Sequence, residues 1–237
     1  MKKLLGFSIF LVFVLIASLT AEAKVTLPAI FSDNMVLQQN TQVNVWGKAA
    51  PGEKVTVKAS WLDKPVTAKA AANGKWTVKL KTPKATTNQS VTVSGENEIT
   101  INNVLIGEVW LCTGQSNMEF PVSRHPDVKW NTGMLNEAEE LKDADYPEIR
   151  LFHVKHQLAH EGELDDCEGE WLVCNPKNLY DFSAVGFVFG RKLYKELKMP
   201  VGLIQSTWGG THAESWTKLD VMKKNPLYAD VLKDFAL

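Results

Sequence analysis

The sequence predicts an α/β protein in two joined parts: an antiparallel β-sandwich, then a unit built on a mainly parallel sheet. Three observations carry this. From Lys24 to about Asn103, apolar and polar residues alternate in short runs. After Val104 the apolar runs become nearly continuous, as in strands buried on both faces. One stretch, SAVGFVFGRKLYKELK, has helical period and lies between two such apolar runs.

In the first part, VNVWGK, KVTVKAS, PVTAKA, KWTVKLK, SVTVSG and EITINNV each have period two. Turn signals separate them at Ala50-Pro51-Gly52, Asn73-Gly74 and Gly95-Glu96-Asn97. Asn-Gly between two alternating runs predicts a hairpin joining PVTAKA to KWTVKLK. Trp46, Trp61 and Trp76 fall within or beside these strands, where a core role is the simplest reading.

In the second part, LIGEVWLC (Leu105 to Cys112), IRLFHVK (Ile149 to Lys155) and VGLIQS (Val201 to Ser206) read as strands. The helix between the last two has Val185, Phe189, Leu193 and Leu197 in an apolar stripe that Val188 widens. Ser183 is its cap and Met199-Pro200 its end. Strand, helix, strand with short joins is a βαβ pattern. Gly133 to Tyr146 has room for a surface helix, and the acidic run Glu161 to Glu170 reads as a solvated loop. Thr217 is placed to cap a helix through Lys224, Asn225-Pro226 breaks it, and a further apolar-striped helix begins at Tyr228.

Before both parts, Lys2 and Lys3 precede an apolar run from Leu4 to Leu19, and Ala21-Glu22-Ala23 has the form of a cleavage site. Residues 1–23 therefore read as a signal peptide, which directs the chain to the periplasm or the medium. The remainder divides into 24–104 and 105–237. No later stretch has the length and apolarity of a membrane span. With 45% hydrophobic residues, 22% charged residues and a net charge of −1, the composition is globular and does not point to nucleic acid or an anionic surface as partner. Of the three cysteines, Cys112 reads as a buried thiol, and Cys167 and Cys174 are close enough in sequence to bridge. No Cys/His spacing points to zinc.

The chemistry concentrates where strands end. In an open parallel sheet, ligands gather at the carboxyl edge. The loops Thr113-Gly114-Gln115-Ser116-Asn117 and Thr207-Trp208-Gly209-Gly210-Thr211 share that edge if their strands run parallel. Ser116 then presents a hydroxyl at a sharp strand exit, near backbone N–H groups able to meet an oxyanion. Gly209-Gly210 allows close backbone approach to a ligand. The same residues also suit plainer roles, as a helix cap and a turn.

GEVWLCTGQSNM closely resembles the first block of the SGNH-type carbohydrate esterases, specifically the sialate O-acetylesterase group. LPAIFSDNMVLQQNTQVNVWGKAAPGEKV (Leu27 to Val55), FSAVGFVFGRKL (Phe182 to Leu193) and PVGLIQSTWGGTHAESWT (Pro200 to Thr217) resemble further segments of that group, in order. The resemblance implies an SGNH-hydrolase-like sheet and an esterase that removes acetyl groups from sugar hydroxyls, with an O-acetylated sugar or glycan as partner. It implies Ser116 as nucleophile, with Ser116, Gly209 and Gly210 supplying the oxyanion hole. Gln115, Asn117, Trp208, Glu214 and Trp216 would shape or line the site, with no metal or organic cofactor.

Two family blocks are not found. These are the Q-G-E type segment and the Asp-x-x-His segment that carries the base. Of the five histidines, His125 and His153 have no such context. His156 and His160 have the spacing of a helical metal pair but read as surface residues of a strand and loop. His212, beside Gly210, is a candidate base for which the surface reading is preferred. The expectation is therefore the front part of a longer esterase, inactive alone for lack of its base. The rival reading is a non-catalytic carbohydrate-binding protein or degenerate esterase.

Overall fold

A computed structural model describes residues 24–125, 133–159 and 162–234. The expected signal peptide, His160, Glu161 and the last three residues of the predicted terminal helix lie outside the described residues.

The strands, in chain order, are β1 (Val36–Gln38), β2 (Gln42–Lys48), β3 (Lys54–Ala59), β4 (Val66–Lys69), β5 (Lys75–Lys81), β6 (Thr86–Ser94), β7 (Glu98–Gly114), β8 (Tyr146–His153), β9 (Trp171–Cys174) and β10 (Val201–Thr207). The helices are α1 (Ser116–Glu119), α2 (Glu137–Lys142), α3 (Pro176–Leu179), α4 (Ala184–Leu197), α5 (Leu219–Lys223) and α6 (Ala229–Asp234). The fold is mixed α/β. One 8-stranded sheet has the path β4-β3-β6-β7-β10-β8-β9, with β1 paired to β7, and β2 and β5 form a separate antiparallel pair.

Alternation determines burial in the first part. On β5, Trp76, Val78 and Leu80 are buried and the residues between them are exposed. The predicted hairpin at Asn73-Gly74 is corrected. The turn exists, with Gly74 at φ 76° and its N–H donating to Ala71. However, β5 pairs with β2 and β4 pairs with β3. The turn thus passes the chain from one sheet to the other, with half-buried Val66 and Ala68 of β4 on the large sheet and buried Trp76, Val78 and Leu80 of β5 on the two-stranded one. Trp46 is also corrected. It is 40% exposed and meets Phe31 edge-on, while Trp76 is in the core.

β7 joins the two parts. Its first half pairs antiparallel with β6 and its second half parallel with β10, so the sequence boundary after Val104 falls inside one 17-residue strand. One hydrophobic core includes Val104 and Leu105 together with Phe152 and Trp171 from beyond β7. The Trp171 indole N–H donates to the Ile30 carbonyl at 2.8 Å. The acidic loop is tied down rather than free: Asp165 pairs with Lys48 and Lys75, and Asp166 accepts the Ala29 N–H.

α4 covers β10, but most of its predicted stripe faces outward, and only Leu193 of the stripe packs, half-buried, against the core. Val185, Val188, Phe189 and Leu197 are exposed, whereas Ala184, Gly186, Phe187 and Gly190 are buried. The cause is close packing. A methyl group on Gly190 would sit 2.5 Å from Leu203 Cδ1, and one on Gly186 would sit 3.2 Å from Cys112 Sγ. Ser183 caps α4 as predicted, accepting from the Gly186 N–H at 3.0 Å. Thr217 does not cap α5; its hydroxyl donates to the Ala213 carbonyl, and Asn225 caps the turn that follows. β9 went unpredicted. Cys174 lies on it as a buried thiol, pushed up to about 12 by burial, and Cys112, Cys167 and Cys174 are all free, so no Cys167–Cys174 bridge forms.

Candidate active site

Two parallel strands deliver the two loops to one edge. In the β7–β10 register, Ser206 lies opposite Thr113 and Thr207 opposite Gly114. The loops beyond therefore leave the sheet together, and the Trp208 N–H donates to the Gly114 carbonyl at 3.1 Å. Gly114 makes the sharp exit with φ 150°, a conformation that a side chain would resist.

Ser116 is the first residue of α1 and is exposed. The opening N–H groups of a helix have no partner within the helix, so the Ser116 N–H is open to a ligand. Gly209 approaches it closely: a methyl group there would lie 3.3 Å from Ser116 Oγ. Gly210 follows in the left-handed region at φ 78°, completing the turn. Thus Ser116 and Gly209, far apart in the chain, come together, with Gly210 the next residue of the turn.

The supporting residues differ in how directly they take part. The Gln115 side chain donates from Nε2 to the Thr211 carbonyl at 2.9 Å, tying one loop to the other. The Trp208 indole stacks on the His156 ring at 4.3 Å with an interplanar angle of 3°. The Trp216 indole N–H donates to Thr211 Oγ1 at 2.8 Å, which in turn donates to the Trp208 carbonyl. Asn117 is exposed beside Ser116, and Glu214 is half-buried in the 3-10 turn Ala213–Trp216. A cleft of about 460 Å³ abuts the second loop, with His156, Trp208, Thr211 and Trp216 in its wall.

Three contributors were missed in the sequence. Glu119, three residues after Ser116, accepts the Gly209 N–H through Oε2 and lies 2.9 Å from His156 Nε2 through Oε1. Helical spacing within QSNME was the available signal. His156 was read as a surface histidine. It is partly exposed, but it touches Glu119, the Thr207 carbonyl and Trp208, and nothing local announces this because these partners come from α1, β10 and the loop after β10. Gln205 is fully buried beneath the loop, accepting the Ser183 N–H and donating to Thr207 Oγ1, so it joins the end of β10 to the start of α4.

Among the described residues, no side chain hydrogen-bonds Ser116 Oγ. His212 is exposed in the loop after Gly210. Burial holds His153 below the ordinary histidine range; Asp181 and Glu119 pull it upward and His156 pushes it down. His125 pairs with Asp181.

Comparison with known proteins gives the family. Residues 106–236 match the family described as carbohydrate esterase, sialic acid-specific acetylesterase. The chain is 34% identical over 215 residues to the sialate O-acetylesterase of Mus musculus, covering 82% of this chain and 38% of that protein. To the sialate O-acetylesterase of Homo sapiens it is 33% identical over 205 residues, covering 78% and 37%. A crystal structure of a carbohydrate acetylesterase from Xanthomonas citri superposes with a TM-score of 0.75 at 31% identity, covering 85% of this chain and 44% of that one. The chain thus spans well under half the length of each of these relatives, and over that span it belongs to the sialic acid-specific acetylesterase family of carbohydrate esterases.

Proposed function

We propose that this chain carries the nucleophile half of an extracytoplasmic O-acetylesterase acting on acetylated sugars or glycans. One observation carries the reading: the close approach of Gly209 to Ser116 Oγ at the carboxyl edge of two parallel strands. Ser116 Oγ attacks the acetyl carbonyl, and the carbonyl oxygen becomes an oxyanion facing the N–H groups of Ser116 and Gly209, with Gly210 adjacent. The C–O bond to the sugar breaks, the sugar oxygen leaves with the proton given up by the Ser116 hydroxyl, and the acetyl group stays on Ser116 Oγ. Water then releases acetate and restores the hydroxyl. The fused domain arrangement, a sandwich over 24–104 and an SGNH-like sheet over 105–237, and export directed by residues 1–23 are parts of the same proposal.

A serine hydroxyl needs a base to act fast. His156, the histidine in contact with these loops, is engaged by Glu119 and the Thr207 carbonyl, and the family's Asp-x-x-His block is not in this sequence. The chain alone is therefore expected to turn over slowly, retaining only what the oxyanion donors and binding supply.

A fluorophosphonate probe tests the reading. A slow, single adduct that maps to Ser116 and disappears in Ser116→Ala supports it. An adduct elsewhere, or glycan binding that is equal in wild type and Ser116→Ala with no adduct, overturns it in favour of a binding protein.

A further inference from the structure

Glu119 is the site group for which the esterase reading has no task. It follows Ser116 by three residues, so one turn of α1 places both on the same face. Its side chain is only 20% exposed. Oε1 lies 2.9 Å from His156 Nε2, and that nitrogen is also 2.8 Å from the Thr207 carbonyl. Two acceptors face Nε2, so it is the ring nitrogen that carries the proton. The imidazole lies flat on Trp208, and Oε2 takes the Gly209 N–H directly. The carboxylate thus holds Gly209 directly and reaches Thr207 and Trp208 through His156.

A methyl group on Gly209 would stand 2.5 Å from Glu119 Oε2 and 3.3 Å from Ser116 Oγ. The carboxylate oxygen and the nucleophile therefore share one narrow space above Gly209. An anionic oxygen on this N–H, beside this hydroxyl, has the charge and size of the oxyanion that acyl transfer creates.

We propose that Glu119 is a built-in occupant of the oxyanion donor. In the closed state Oε2 caps the Gly209 N–H. A substrate carbonyl, or the acetate product, gains that N–H only when Oε2 leaves it, while Oε1 retains His156 and keeps the loop in place. Glu119 is a positioning residue in this scheme, acting through Gly209 and His156. The inference rests on the reading that Gly209 is an oxyanion donor.

Acetate serves as the probe, followed at the Gly209 amide by 1H–15N correlation spectroscopy. In the wild type, acetate should move this resonance little, because Oε2 competes for the N–H. In Glu119→Ala it should move saturably, with a dissociation constant at least about ten-fold lower, the size expected when a charge-assisted competitor is removed. Glu119→Gln retains an acceptor without the charge and should fall between the two. The same spectra report whether each variant is folded, and if Glu119→Ala is not, the Glu119→Gln result decides. Equal acetate responses in wild type and the folded variant, or no response in either, overturn the proposal. Its failure is separable from failure of the esterase reading, since the Ser116 adduct is scored independently. An adduct at Ser116 with no difference in acetate response removes the gate alone.

Discussion

On β5, the large apolar residues Trp76, Val78 and Leu80 point inward and lysines point outward. On α4 the large residues Val185, Val188 and Phe189 point outward, while Gly186 and Gly190 face the sheet. Both segments are apolar at the period their structure requires, yet in the first the apolar face coincides with the buried one throughout, whereas α4 buries Phe187 and half-buries Leu193 while leaving Val185, Val188 and Phe189 exposed. The difference lies in what limits packing. β5 is held by filling a layer, where each side chain adds buried area. α4 is held by closeness, since β10 approaches until Leu203 occupies the space that a side chain at Gly190 would need. Period therefore identifies an element reliably, but it identifies the face only where volume, rather than approach, is the constraint.

The largest test of this contrast is Leu80→Ala. Leu80 is fully buried, so its truncation removes area from the filled layer and leaves a cavity. We expect a loss of about 3 kcal/mol, seen as a fall in Tm of about 6–12 °C by calorimetry. A fall below about 2 °C would mean that the layer is not packed as described.

Gly190→Ala comes next, and its sign is the informative quantity. In an open helix the exchange stabilises by about 1 kcal/mol. Here the added methyl meets Leu203 Cδ1 at 2.5 Å and Cδ2 at 2.9 Å, in a residue that is itself fully buried. Overpacking of this kind costs about 1–3 kcal/mol. The net expectation is a loss of about 1 kcal/mol, measured by urea denaturation, and a gain would show that α4 is free to move away from the sheet.

The same contrast explains what the sequence disclosed. The alternating strands β2 to β7 and α4 with its Ser183 cap were legible, because each rests on local period, and the βαβ join around α4 pointed to the parallel relation of β8 and β10; β1, three residues long, and the pairing of β7 with β10 were not. Ser116 and Gly209-Gly210 were legible as strand exits, and the register of β7 with β10 brings them together. What was not legible depends on contacts between distant segments. Which strand pairs across Asn73-Gly74 is decided by the layer to which each buried face belongs. The place of His156 in the site is decided by Glu119 and Trp208, neither of which is its sequence neighbour. β9 is short and lies beyond the acidic loop, where four residues of apolar pattern do not stand out.

The smallest expected effect is also the sharpest check on the outward stripe. Val188 is 41% exposed on α4, near the edge-on pair of Trp110 and Phe189. If that face meets water, Val188→Lys gives up little buried area and replaces a β-branched residue with a better helix former. Its effect should stay within about 0.5 kcal/mol, a shift in Tm of no more than about 2 °C. A fall approaching that of Leu80→Ala would show that the stripe is covered in solution, by a second copy or by further polypeptide. In that case the two segments would obey one rule after all, with the buried face of α4 on both sides. Sedimentation of the wild type and of Val188→Lys at equal concentration separates the two covers, since only a second copy makes the mass depend on concentration and on Val188.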